Sequence, residues 1–253
     1  NLRILKQFNG CCFADLDLKQ QGVIEDFQLL FYIIQPPTPE RVKYDIFDRV
    51  NRGGTPLNKQ EMRNALYRGR CTRMLDKLCC SPEFLIATGR SINKERMKDQ
   101  YVVLRAMAFL MLHRGEFKDI PALQYRGDID DFLARFMVYV NDNAPEKLIV
   151  DYENLFIRCM QISYDLLGEN GFRFSGNGIR RPINMPLFEA LSYLFSFVPE
   201  KIDYTWASRL ILDIESVKEE FDDSRYFSGN IDSTTSVSFR FDRMDKIINR
   251  IQL

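Results

Sequence analysis

A chain of 253 residues, 45% of them hydrophobic, is long enough to bury a sizeable core and to form one or two domains. Its 35 basic residues balance 35 acidic ones, so no overall field draws it to nucleic acid or to a membrane, although local basic patches remain open. The longest apolar run, 97–112, is broken by Lys98, Asp99, Gln100 and Arg105 and is too short and too interrupted to span a bilayer.

At the start, Leu2, Leu5 and Phe8 have helical spacing and Asn9-Gly10 is a helix stop. No signal peptide is visible and the first residue is not Met, so the chain reads as part of a longer one. The run 28–35 (QLLFYIIQ), closed by Pro36-Pro37, is continuous, aromatic and β-branched, which predicts a buried strand. Thr38 then caps a helix with Pro39 at its first position, burying Val42 and Ile46.

That helix leads into a polar end, a Gly-Gly turn and a second helix start. Asn58 and Glu61 have the N-cap and N3 spacing of a capping box, which satisfies backbone N–H groups at a helix start. Gly53 and Gly54 lack a Cβ and can take positive φ, so backbone can approach a ligand closely. Successive N–H groups in such a turn, with a helix dipole beyond, make a phosphate site physically possible. It is no P-loop, because no Gly-Lys-Ser/Thr follows the glycines. On chemistry alone, ordinary punctuation before a capped helix accounts for the same residues.

The whole run FDRVNRGGTPLNKQEMRNALY, 47–67, resembles the signature of the ParB-like NTPase domain found at the N-terminus of GmrSD-type modification-dependent restriction enzymes. The order Phe47, Arg49, Asn51, Gly53, Gly54, Thr55, Leu57, Glu61, Arg63 and Asn64 carries the resemblance and is far more specific than a glycine pair. Arg52 departs from it, since a small Ser or Thr is usual there. The family's Asp-Gly-Gln-Gln-Arg motif, which carries much of its nucleotide chemistry, does not occur in these residues. The opening NLRILKQFNG is similar to the segment that follows that motif, so the expectation is a chain cut just after it and inactive alone.

The resemblance implies an NTP ligand, with Mg2+ in the intact protein, and a role in phage defence. It places Arg49, Asn51, Gly53, Gly54, Thr55 and Asn64 around the nucleotide, with Gly53, Gly54 and Thr55 cradling phosphates. Asn51 would orient them, and Glu61 and Arg63 would support or stabilise charge, unless Glu61 is only the capping residue. Further candidate partners are DNA, a nuclease and a second copy of the chain. With His113 as the single histidine, the HNH nuclease of complete GmrSD-type enzymes is excluded from this chain.

From Cys71 onward the pattern is helical. The run 97–113 is apolar on nearly every face and should be a central buried helix. Ile129, Phe132, Leu133, Phe136, Met137 and Val140 recur at helical spacing, as do Tyr152, Leu155, Phe156, Cys159, Met160 and Ser163. Runs 186–197 and 206–221 supply two more helices, and 236–251 a last one despite the strand-like Val237, Phe239 and Phe241. Such stripes could form a cofactor box, but the period already demands helix packing.

Two other stretches carry candidate function. The segment 168–182 (GENGFRFSGNGIRRP) sets Arg173, Arg180 and Arg181 beside Phe172 and Phe174, a composition suited to stacking on bases and holding phosphates, or to a plain loop with Gly168 as helix C-cap. Tyr67, Arg68, Arg70 and Arg73 follow the signature and could extend a phosphate site or touch nucleic acid, or simply be solvated. The six cysteines contain no Cys-x-x-Cys pair and, with His113, give no metal-ligand spacing, so they read as reduced, mostly structural cytosolic thiols. The expected architecture is mainly α: a truncated ParB-like α+β segment over 1–69, then an all-helical domain over 70–253.

Overall fold

The computed structural model describes residues 5–31, 33, 35, 42, 46, 49, 56–175, 180–199, 201 and 203–251. They are mainly helical, and no strand occurs among them. The chain divides into two units, Asn1–Ile46 and Phe47–Leu253.

In the first unit, short 3-10 turns at Lys6–Phe8 and Phe13–Asp15 precede helix α1, Leu18–Glu25. The helix forms because Asp17 accepts the Gln20 N–H at 2.8 Å while Gln20 returns a side-chain acceptor to the Asp17 N–H at 3.2 Å. It buries nothing. The predicted opening helix reduces to the Lys6–Phe8 turn, with residues 2–4 outside the described set.

The expected buried strand is not present in the described part of 28–35. Leu29, Leu30, Phe31 and Ile33 are exposed and lie in no strand. A strand needs a ladder partner, and none exists among the described residues, so β propensity alone does not organise this run. Val42, Ile46 and Arg49 have helical backbone, but Val42 and Ile46 stay exposed where burial was expected. The α+β character expected of residues 1–69 is therefore not displayed among the described residues.

The second unit is built of helices α2 (Lys59–Leu66), α3 (Arg70–Cys79), α4 (Pro82–Ala87), α5 (Lys98–His113), α6 (Ile129–Asp142), α7 (Glu146–Leu167), α8 (Met185–Phe195), α9 (Tyr204–Asp222) and α10 (Thr234–Ile251). Most begin on a side-chain cap. Ser81 accepts from the Phe84 N–H with Pro82 at the first position, Asp128 from the Asp130 and Asp131 N–H groups, Asn184 from Leu187 and Asp203 from Trp206. Gly168, at φ 60°, closes α7.

Helix α5 is the centre, as its unbroken apolar run demands: Val102 to Met111 are all buried. It packs on α8 and α3, while α10 covers α8 and α4 lies on α7. Around Phe109 the rings of Tyr125, Phe132 and Phe241 approach with centroids at 5.2, 5.3 and 5.6 Å, joining three parts of the chain at one side chain.

Polar groups also cross this core. Arg105 of α5 and Arg240 of α10 both pair with Glu189 of α8, and all three are at most 1% exposed. Arg105 reaches on to Asp232 at 2.6 Å, and Arg240 donates to the Ile231 carbonyl at 2.6 Å. Of these, only Arg105 is visible in sequence, as an interruption of an apolar run. His113 stacks on Phe241 at 3.5 Å, and burial, helped by nearby Arg240, lowers its pKa to about 3, which keeps it neutral. Cys71, Cys79 and Cys159 are buried and their thiol pKa values are pushed up by burial, whereas Cys11, Cys12 and Cys80 are exposed, so half of the cysteines are not core residues. No helix among the described residues is long and apolar enough to cross a membrane.

Candidate functional site

Helix α2 carries the described half of the signature. Asn58 Oδ1 accepts from the backbone N–H groups of Gln60 and Glu61 at 2.8 and 2.9 Å, and Glu61 Oε2 accepts from the Asn58 N–H at 2.7 Å. The predicted capping box is thus formed in both directions. Glu61 is also held by Arg96, whose Nη2 lies 2.9 Å from Oε2. The hydrogen bond from Arg96, then that from the Asn58 N–H, keeps the Glu61 carboxyl below its ordinary pKa.

Arg96 and Met97 both adopt left-handed backbone, each at φ 57°. Neither is glycine, so the pair costs roughly 1–2 kcal/mol per residue unless its surroundings hold it. The surroundings are residues of the signature. Asn58 Nδ2 donates to the Arg96 carbonyl at 2.7 Å, Asn64 Nδ2 to the Met97 sulfur at 3.2 Å, and Arg96 Nη2 to the Pro56 carbonyl at 2.6 Å.

Arg63 is 1% exposed. Its Nη1 pairs with Asp130 of α6 at 2.8 Å, its Nε donates to Gln60 Oε1 at 3.1 Å, and its guanidinium lies over Tyr101 at 5.3 Å. Lys59 pairs with the same Asp130. Burial pushes the Asp130 carboxyl up, but hydrogen bonds from Lys59 and Arg63 outweigh it and leave the pKa lowered. Asn64 accepts from Gln60 Nε2 at 2.8 Å and donates to Gln100, which donates to Asp76 at 2.7 Å. Helix α2 is therefore fastened to α5 and α6 along a polar seam.

Of the described candidates, Glu61, Arg63 and Asn64 all hold other protein groups. Asn58 already satisfies two backbone N–H donors at the helix start. Asn51, Gly53, Gly54 and Thr55 lie outside the described residues, and Arg49 is helical and exposed. Glu61 and Asp130, the carboxylates that meet the side chains of α2, are both ion-paired. The described donors do not fit a Mg2+ site, and no cluster of three His, Cys, Asp or Glu side chains suited to a metal occurs among the described residues.

The basic stretch after the signature divides. Arg68 and Arg73 are exposed, whereas Arg70 donates to the Ala144 carbonyl at 2.9 Å and pairs with Glu146 at 2.8 Å, tying α3 to the start of α7. In 168–182, Phe172 and Phe174 are buried, so neither ring presents a face for a base. Buried Arg173 donates to the carbonyls of Thr88, Glu169 and Arg181 and to Ser91 Oγ. Arg180 pairs with Glu169 at 2.7 Å, and Arg181 pairs with Asp222 while lying over Phe174 at 5.4 Å. The described part of this segment is a loop pinned by its own arginines.

Arg96, Gln100 and Asp130 are the site residues that sequence reasoning missed. Each meets α2 from at least 35 residues away, and no local pattern marks them. Comparisons of the chain with models of protein families, with curated proteins and with solved structures gave no match.

Proposed function

We propose that the chain is part of an NTP-binding and -hydrolysing module of a modification-dependent, restriction-like phage-defence protein. In this reading Gly53, Gly54 and Thr55 cradle the phosphates, with Arg49 and Asn51 beside them. One observation supports it beyond the resemblance of 47–67: the helix start at Asn58, next in sequence, has its capping groups and neighbouring ion pairs committed. A phosphate cradle needs such a fixed frame, because backbone N–H groups bind an anion well only when their directions are preset. Of the candidate arginines after the signature, Arg68 and Arg73 are exposed and would meet a DNA partner at its phosphates rather than its bases.

A non-catalytic sensing or docking module is the second reading. It is favoured by the pairing of Glu61 and Asp130, which leaves neither carboxylate free to position a metal or a water. Titration of the full-length protein with ATP and GTP, with phosphate release followed in parallel with Mg2+, separates the readings. Saturable binding with phosphate release is expected. Binding without release selects the second reading, and no binding of either nucleotide rejects the cradle altogether.

A further inference from the structure

Helices α9 and α10 are fastened to each other at two points. Arg243 of α10 donates to Glu220 Oε2 of α9 through Nε and Nη2, at 2.9 and 2.6 Å, and Arg250 Nη1 donates to Asp213 Oδ1 at 3.2 Å. The later residue of one helix meets the earlier residue of the other, so the two run antiparallel. Between these ties lies a cleft of about 460 Å³, with buried Val217 at its base.

The two ion pairs account for holding the helices together, but not for the rest of the lining. Ser216 of α9 and Lys246 and Asn249 of α10 are exposed there, and their side chains have no hydrogen-bond or ion-pair partner among the described residues. Arg243, Lys246 and Arg250 stand at i, i+3 and i+7, on one face of α10. They cover a rise of about 10 Å along the helix axis. The one carboxylate in the described lining, Asp213, is already taken by Arg250. A cleft dominated by one sign of charge concentrates counter-ions more strongly than the same charges on an open face. No aromatic ring occurs in the described lining, so a base finds nothing there to stack on.

We propose that the α9–α10 cleft binds successive phosphate groups of an extended polyanion, recognised by its backbone and not by its bases. Lys246 is the central contact, with Arg243 and Arg250 to either side, and the Ser216 hydroxyl and Asn249 amide donate to phosphate oxygens. Cations and neutral donors together suit phosphate, whose oxygens accept from both. The proposal stands on these two helices alone and does not rest on the phosphate cradle. A nucleic-acid strand and an inorganic polyphosphate share this chemistry, and the experiment separates them.

The full-length protein is titrated with fluorescein-labelled oligothymidylate and with inorganic tripolyphosphate, beside Lys246→Gln, Ser216→Glu and Lys118→Gln, each with a thermal melt. Lys246→Gln should lower affinity about tenfold. It should also make the dependence of log affinity for the strand on log salt shallower by about 0.7, the share of one phosphate contact. Ser216→Glu sets a carboxylate in the cleft from the opposite helix and should weaken binding at least as much. Lys118 is exposed and outside the cleft, so Lys118→Gln should match wild type. If Ser216→Glu does not fold, Asn249→Asp serves in its place. Either probe binding with this dependence on Lys246 supports the site: the strand alone names a nucleic acid, and tripolyphosphate alone names a short polyphosphate. Failure of wild type to bind either probe at low salt overturns the proposal. So does wild-type affinity in folded Lys246→Gln and Ser216→Glu proteins, or an equal loss in Lys118→Gln.

Discussion

Glu189→Ala lowers the unfolding free energy by about 3–5 kcal/mol, because it strips the shared anion from two buried guanidinium groups. Glu189 itself is 0% exposed, held between Arg105 and Arg240, and its removal leaves Asp232 as the remaining acid of the cluster. Asp232 is ion-paired with Arg105, so Arg240 would keep the Ile231 carbonyl as its hydrogen-bond acceptor but lose its paired carboxylate. Burial already lowers the Arg240 pKa despite the opposing pull of Glu189, and losing that carboxylate makes the charged form harder still to keep inside. Urea denaturation should show a lower midpoint at unchanged slope, the sign of lost stability rather than altered compactness. A loss under about 1 kcal/mol would mean that water or a rearranged Asp232 takes over the anion's place.

Phe109→Ala should cost about 3–5 kcal/mol through the cavity it leaves. The ring is fully buried and bridges α5, α6 and α10 through Phe132 and Phe241, with Tyr125 edge-on. The three surrounding rings cannot close a gap of that size without leaving their rotamers, so little of the loss is recovered by relaxation. A melting temperature within 2 °C or so of wild type would remove α5 from the centre of the core.

How far the sequence carried these conclusions follows from range. The helices of the second unit were legible because their apolar spacing and caps are local: α5, α6 and α7 lie where Phe109, Phe132 and Tyr152 placed them, and Asn58 and Glu61 form the capping box their spacing requires. The strand expected at 28–35 is not seen among its described residues for the opposite reason, since a strand is stabilised by a partner that its own residues do not specify. Arg173, Arg180 and Arg181 looked like a nucleic-acid surface by composition, but whether an arginine faces solvent or a carbonyl depends on the turn at 88–91 and on Asp222, both distant in sequence. Arg96, Asp130 and Glu189 were missed on the same ground.

The glycine turn proposed as a phosphate cradle immediately precedes, in sequence, the capped start of α2. The direct measurement is the ATP and GTP affinity of Gly54→Val in the full-length protein, taken with its thermal melt. A β-branched side chain obstructs close approach of an anion to backbone and disfavours positive φ. The cradle therefore predicts affinity reduced at least tenfold, roughly 1.4 kcal/mol or more, with the core transition retained. Wild-type affinity in Gly54→Val would contradict it, and would make the turn no more than the punctuation before a capped helix.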